Sequence, residues 1–538
     1  MFVAIVYKHW KTIVLAAMCL ACLFLLLALA CGPRRTQTNN SASGTSPTPS
    51  PTRDDHDSFH GVDVAPKQVL IQVSSCAGVE SKKLTETVKK FSQEVTQDSQ
   101  VTASRGAIGC WFLIKSSTLT AQQLVDLFKQ AITARRPITV DQLSALVVHV
   151  EPNFLLHISP PINDQPFKKT TPTTLRRVGF QPEDPPVPSP PDDHLYQVNA
   201  LWGLRNHDHP GVDIHAAEAW QQGTGSDRIV VGVIDSGIFY CHPDLSLNVW
   251  RAPQDFEVTL GEEVIHCPQG SHGYNLVDGP AEVCNPLDKP ENFGHGTHIA
   301  GIVGAVGNNN EGTVGVNWTT KLIGLKAADV FGKVTVSDAV KAIAFAIKVR
   351  ERFGSDANIR VLNASFGYLA APGDPELDPT NLRSAIEEAG LPQNDMLFVA
   401  SAGEDNNNND LRPHYPSSFS DLPNLISVTA IDEEGNLAGF GANYGLTSVH
   451  LGAPGVNIYS TYPFDPDTYY YSKSGTSMSA PFVSGAAALM LSVPKCSTLH
   501  ASDLKQLILA GKDGTDLAGK TVTGGRLNVF RSIGRCGP

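Results

Sequence analysis

The chain has 538 residues, more than one ordinary domain uses, so two or three folded units with linkers are expected. A formal net charge of -12 offers no basic field to displace counterions from a polyanion, which excludes nucleic acid as the main partner. Ten cysteines are too few for a disulfide scaffold at this length, so folding rests on burial of the apolar residues, 41% of the chain.

Lys8 and Lys11 precede an apolar run from Thr12 to Ala30 that closes on Ala28-Leu29-Ala30-Cys31-Gly32. A positive start, an apolar stretch and small residues before a break read as an export signal over residues 1–30. The closing residues resemble a bacterial lipobox, with Ala28 where leucine is usual. That resemblance implies cleavage before Cys31, lipid on its sulfur and an extracytoplasmic protein of bacterial type, held to the bilayer through Cys31. A secreted protein with an ordinary signal peptide and an uncleaved membrane anchor fit the same run. Residues 31–64 are rich in Ser, Thr, Pro and Asp and read as a disordered tether, because they bury too little surface to fold.

Residues 65–158 alternate strand and helix signals. Val69 to Val73 and Cys110 to Ile114 are short apolar runs, while Leu84, Val88, Phe91 and Val95, and then Leu124, Leu127, Phe128 and Ile132, recur at helical spacing. A small α+β (ferredoxin-like) unit, with two helices on one face of a sheet, is the expected domain. Residues 159–192 form a Pro-rich linker exposing Lys168-Lys169 and Arg176-Arg177, either as solvated charge or as processing sites.

The large domain, 193–538, carries the chemistry. Arg228 to Ile234 is a β-branched run that ends in Asp235-Ser236-Gly237, a strand buried on both faces with an acid at its carboxyl end. Gly294-His295-Gly296-Thr297-His298 opens a helix. Two histidines three apart permit metal ligation, but no glutamate follows the first as a zincin requires. Ser474 to Pro481 leads into a run of small and apolar residues, so Ser477 sits at a helix entrance, where unpaired amides favour negative charge. Alone, that serine is an N-cap; with a base in reach it is a nucleophile.

Asp, then His, then Ser, each in a glycine-rich setting, is the chain order of subtilisin. Asp235-Ser236-Gly237, Gly294-His295-Gly296-Thr297-His298 and Gly475-Thr476-Ser477-Met478-Ser479-Ala480-Pro481 resemble the three signature blocks of the subtilisin-like serine proteases. The resemblance runs from about Asp193 to Leu527. It implies an α/β fold with a doubly wound, mostly parallel sheet and helices on both faces, and a catalytic triad of Asp235, His295 and Ser477 with no cofactor for catalysis. It also identifies Val150-Glu151-Pro152-Asn153 as similar to the end of a propeptide, a domain that chaperones folding and inhibits the site, so a zymogen is implied.

In that family the block after Ile359 to Asn363 pairs with extended peptide or protein substrates and walls the primary pocket, which assigns substrate binding to Ser365, Phe366, Gly367, Ala402 and Gly403. Glu404 stands where the family's oxyanion-binding asparagine is expected. Three routes keep such an enzyme working: a protonated Glu404, a residue of Asn406 to Asn409, or the Ser477 amide alone. The same glutamate motivates a rival, a weak or silent member of the fold that binds peptides. The resemblance further implies a structural calcium site built from side chains of Asp193, Asp244, Asn309 and Glu311 and carbonyls of Val306 and Thr313. Cys76 with Cys110 and Cys496 with Cys536 are candidate pairs, leaving Cys241, Cys267 and Cys284 as an odd set.

Overall fold

The computed structural model describes residues 57–537 apart from 77–78, 141–142, 160–161, 167–189, 290–293, 464–468 and 515–516. The export signal, Cys31, most of the tether and both dibasic pairs lie outside the described residues. Among the described residues no helix is long and apolar enough to cross a membrane.

The first described strand lies inside the expected tether. Asp57–Phe59 pairs antiparallel with the strand Val62–Val73, and Phe59 and Val64 are fully buried. That long strand lies between Leu143–His157 and Trp111–Lys115, and Thr102–Arg105 pairs with the latter. Fourth, first, third, second is therefore the order of the main strands, the antiparallel arrangement of a ferredoxin-like unit. The helices Ser81–Thr96 and Ala121–Thr133 complete it. Leu84, Val88, Phe91 and Val95 are buried along the first helix, as their spacing predicts. In the second, Val125 and Ala131 are buried with Leu124 and Phe128, while Leu127 and Ile132 stay half-exposed. Thr120 and Gln123 form a reciprocal capping box at its start.

The large domain is built on a sheet whose described strands run Gly273–Asn275, Thr319–Lys326, Gly225–Asp235, Ile359–Ala364, Leu397–Ser401, Leu425–Ile431, Leu451–Pro454, Gly525–Arg526 and Asp513–Gly514. All neighbours are parallel except the last pair. Central strands such as Ile359–Ala364 and Leu425–Ile431 are buried at every residue, which is why they read as unbroken apolar runs.

The helix Thr476–Ser492 is buried at every residue but the last, so it has no polar face. Small residues let it run through the core: a Cβ on Gly485 would lie 2.7 Å from Val316 Cβ. Pro481 lies inside this helix rather than at its first position. Its missing N–H leaves the Ser477 carbonyl without an intrahelical donor, and the Ser365 hydroxyl donates there instead, at 2.9 Å.

The end of the small domain runs into the large one. Leu155, Leu156 and His157 pair antiparallel with Lys333–Thr335. On the other side His157 exchanges both backbone hydrogen bonds with Gly367, at 2.7 and 3.0 Å, and Ile158 N–H donates to Gly332 O. The linker then supplies a strand of its own, Ile162–Pro166, paired with Tyr470–Ser474. Among the described residues, disulfides close local loops between Cys76 and Cys110, Cys267 and Cys284, and Cys496 and Cys536. Cys241 is not left as a free thiol.

Candidate active site

Asp235 ends the aspartate strand and His295 begins the helix His295–Gly304. A Cβ on Gly296 would lie 2.1 Å from Gly237 O, so only glycine lets this helix approach the turn after Asp235 so closely. The approach brings the imidazole onto the acid: His295 Nδ1 lies 2.9 Å from each oxygen of Asp235, with both side chains buried. Carboxylate oxygens accept, so Nδ1 carries the proton and Nε2 is left basic. Nε2 is buried and has no hydrogen-bond partner.

The histidine and serine helices pack against each other. Ser477 lies in the first turn of the serine helix, where its N–H has no intrahelical acceptor. The residue is 4% exposed, and its hydroxyl donates to Ser365 O at 3.3 Å, not to His295. Met478 is fully buried beside it. His298 is set apart from the reaction centre. Its Nε2 sits 3.0 Å from the carbonyls of Ile458 and Tyr471, which only accept, and burial holds its pKa well below the usual value.

A residue that sequence reasoning missed supports the Asp–His pair. Asp288 is fully buried and accepts from the Ser236 hydroxyl (3.0 Å), the Thr297 hydroxyl (2.6 Å) and the Thr297 amide (3.1 Å). Ser236 in turn accepts from Gly296 N–H at 2.9 Å. One carboxylate thereby ties the residue after Asp235 to the two residues after His295. Burial pushes its pKa up to about 7, opposed by the Thr297 hydrogen bonds and helped by the neighbouring Asp235 charge. An acid seven residues ahead of His295 was the available signal, but nothing local marks it as buried.

Glu404 is turned toward the start of the serine helix. Its Oε1 accepts from both the backbone N–H and the hydroxyl of Thr476, each at 2.6 Å. Of the nearby asparagines, Asn407 donates to Asn409 Oδ1 and Arg412 O, and Asn409 donates to Ala402 O. Of the three routes foreseen for the oxyanion, this arrangement favours the Ser477 amide. Ser365, Phe366, Gly367, Ala402 and Gly403, the residues expected to bind substrate, are all buried, with Gly367 paired to His157. Gly403 has φ +100°, and a Cβ there would lie 2.5 Å from Asn443 Nδ2.

The residues implied for calcium come together in part. Asp193 and Asp244 are buried, and Asp193 Oδ1 has no partner. Burial pushes their pKa values up to about 6 and about 7, and each is raised further by a like charge, Asp192 and Asp193 respectively. Two facing carboxylates with an orphaned oxygen fit a hard cation. Asn309, however, turns its amide nitrogen to Asp244 Oδ1 (2.9 Å) and its oxygen to Glu311 N–H (2.9 Å), and the Glu311 side chain is exposed. Thr313 meets Asp244 through its N–H, at 2.9 Å. Among the described residues no three His, Cys, Asp or Glu side chains converge as a metal site.

Comparison with known proteins bears on this geometry. The Subtilase family domain matches residues 226–531. A thermophilic serine proteinase of Bacillus sp. strain AK1 is 31% identical over 343 residues, which is 63% of this chain and 71% of that protein. Thermitase of Thermoactinomyces vulgaris is 29% identical over 321 residues, 60% of this chain and 93% of thermitase. The crystal structure of fervidolysin from Fervidobacterium pennivorans, described as a keratinolytic enzyme related to subtilisin, superposes with a TM-score of 0.58. It is 20% identical and the match covers 90% of this chain and 62% of that one, so it supports the fold. With the matched domain spanning the aspartate strand, the histidine helix and the serine helix, the chain belongs to the subtilase family of serine endopeptidases.

Proposed function

We propose that this subtilase is an exported zymogen that hydrolyses peptide bonds with Ser477 as nucleophile, His295 as general base and then acid, and Asp235 as the imidazole's partner. The observation that carries this reading is the doubly accepted Nδ1 of His295 beside a buried, partnerless Nε2. Ser477 Oγ attacks the substrate carbonyl as Nε2 takes its proton; the same proton passes to the leaving amine, and water repeats both steps to release the acid. Asp235 holds the productive tautomer and offsets the imidazolium charge. The amide of Ser477 receives the oxyanion.

Substrates bind as extended chains along Gly367 and Lys333–Thr335, the edges now paired with residues 155–157. Backbone pairing of this kind reads main chain more than side chain. That the chain's own segment occupies both edges supports the zymogen reading, with residues 65–158 as inhibitor. Calcium at Asp193 and Asp244 would supply positive charge to two buried carboxylates and hold the loop 306–313 in place. Export is supported by the disulfides, which persist in oxidising compartments, and by the lipobox-like Cys31.

A fluorophosphonate probe tests the reading. Covalent capture of the processed protein, lost in Ser477→Ala, is the expected result. No capture once the inhibitory segment has been cut away supports the rival, a peptide-binding protein with a silent site.

A further inference from the structure

Phe256–Leu260 and Glu263–Cys267 form an antiparallel hairpin joined by Gly261 and Glu262. The catalytic reading leaves it unused. Its root is fixed: the Phe256 ring packs on Phe345, Phe353 and Trp250 with centroids 6.3, 5.1 and 6.3 Å away, and the Cys267–Cys284 disulfide ties off its end. Glu263 is paired with Lys341 of the large domain at 3.1 Å.

The tip reaches the small domain. Gly261 has φ +63°, a conformation that glycine adopts readily, and a Cβ on it would overlap the Arg105 carbonyl oxygen and lie 3.1 Å from Gly106 O. The surface it meets is fixed as well. Arg105 donates to Ser81 Oγ (3.0 Å) and to the disulfide sulfur of Cys76 (3.4 Å), and Gly106 N–H donates to Trp111 O at 2.7 Å.

A second observation is where that contact falls. Thr102–Arg105 is the far edge of the small domain's sheet, three strand steps from Leu143–His157, whose end pairs with Lys333–Thr335. At about 4.8 Å per step the two edges lie roughly 14 Å apart. The small domain is thus held at both edges of its sheet, once by the substrate edges and once by the hairpin.

We propose that the hairpin Phe256–Cys267 is a second docking surface for the small domain, separate from the substrate edges, and that it keeps the inhibitor in place after the chain between the two domains has been cut. This rests on reading residues 65–158 as the inhibitor. A segment held only at Lys333–Thr335 and Gly367 competes directly with substrate. With a second rigid contact on the same body, opening of one leaves the other closed, and rebinding outruns escape.

The test compares the full chain with Gly261→Ala and with Gly270→Ala, a control glycine at φ +84° with nothing within 4 Å of an added Cβ. Both substitutions strain a turn; only the first collides with the small domain. Onset of peptide hydrolysis in freshly purified protein reads loss of the inhibitor. Expected is an onset at least about fivefold sooner in Gly261→Ala, the parent's onset in Gly270→Ala, and the parent's kcat/KM in both once processed. Hydrogen exchange of the parent reads the same contact without a substitution, and stands in should a variant fail to fold: amides of residues 256–267 exchange more slowly in the full chain than in the processed protein. Equal onsets in the two variants, or exchange that processing leaves unchanged, overturns the proposal and leaves the protease reading standing. A full chain as active from the start as the processed protein overturns the inhibitor reading and the proposal with it.

Discussion

At the residue scale the outcome turns on which atoms of a motif residue meet which partners. Glu404 was legible as a departure from the family pattern, and its contacts define the consequence: its Oε1 accepts from Thr476, the residue before Ser477. Replacing it by asparagine puts an amide donor beside the site. Glu404→Asn is expected to raise kcat by about tenfold or more, within the roughly 10²–10³ that one such donor contributes. Peptide hydrolysis across pH measures it, and a variant no faster at any pH shows that the glutamate is no handicap. Asp288 leads to a stability prediction. Its folded pKa of about 7 exceeds the roughly 3.9 of an unfolded aspartate, so its contribution is full below pH ~4 and is lost as pH rises toward 7. Between pH 5 and 8 the parent should lose more denaturant stability than Asp288→Asn, checked by urea midpoints at the two values. The glycine-flanked Asp, His and Ser were visible because close backbone approach leaves a local glycine signature. Asp288 was not, since nothing in its own neighbourhood marks it as a buried acid.

At the scale of elements, apolar runs and helical spacing identified the buried strands and the two helices of the small domain, because burial on one face or both dictates those periods. Two strands escaped. Asp57–Phe59 lies in a stretch whose His and Asp residues mask its pattern, and Ile162–Pro166 owes its conformation to the edge strand Tyr470–Ser474 and not to its own residues. Asp193 and Asp244 link the start of the large domain to the loop 306–313, with Asn308 N–H donating to Asp193 and Thr313 N–H to Asp244. If calcium joins them, chelation restores the repulsion of two buried carboxylates. The thermal midpoint should then fall by several degrees at pH 8 in a chelator, an effect of roughly 1–2 kcal/mol for a protein of this size. Scanning calorimetry with and without chelator reads it, and an unchanged midpoint removes the site.

At the scale of the whole molecule, the small domain is tied to the large one by a strand lying between Lys333–Thr335 and Gly367. That placement predicts a latent full-length chain. His157→Pro removes the N–H that donates to Gly367 O and should loosen the segment by about 1 kcal/mol or more. Fluorophosphonate capture of the freshly purified full chain should then be several-fold faster than in the parent, whereas equal rates would place the barrier elsewhere. Composition, apolar periodicity and three glycine-flanked motifs were enough to determine the α/β class, the family and the triad candidates, because each is encoded by neighbours within a few residues. Only the tertiary structure decided that Nδ1 of His295 faces Asp235, that Glu404 turns to Thr476, and that residues 155–157 pair with Lys333–Thr335 and Gly367. Those outcomes depend on groups separated by 60 residues or more along the chain meeting in space, and no local pattern records such a meeting.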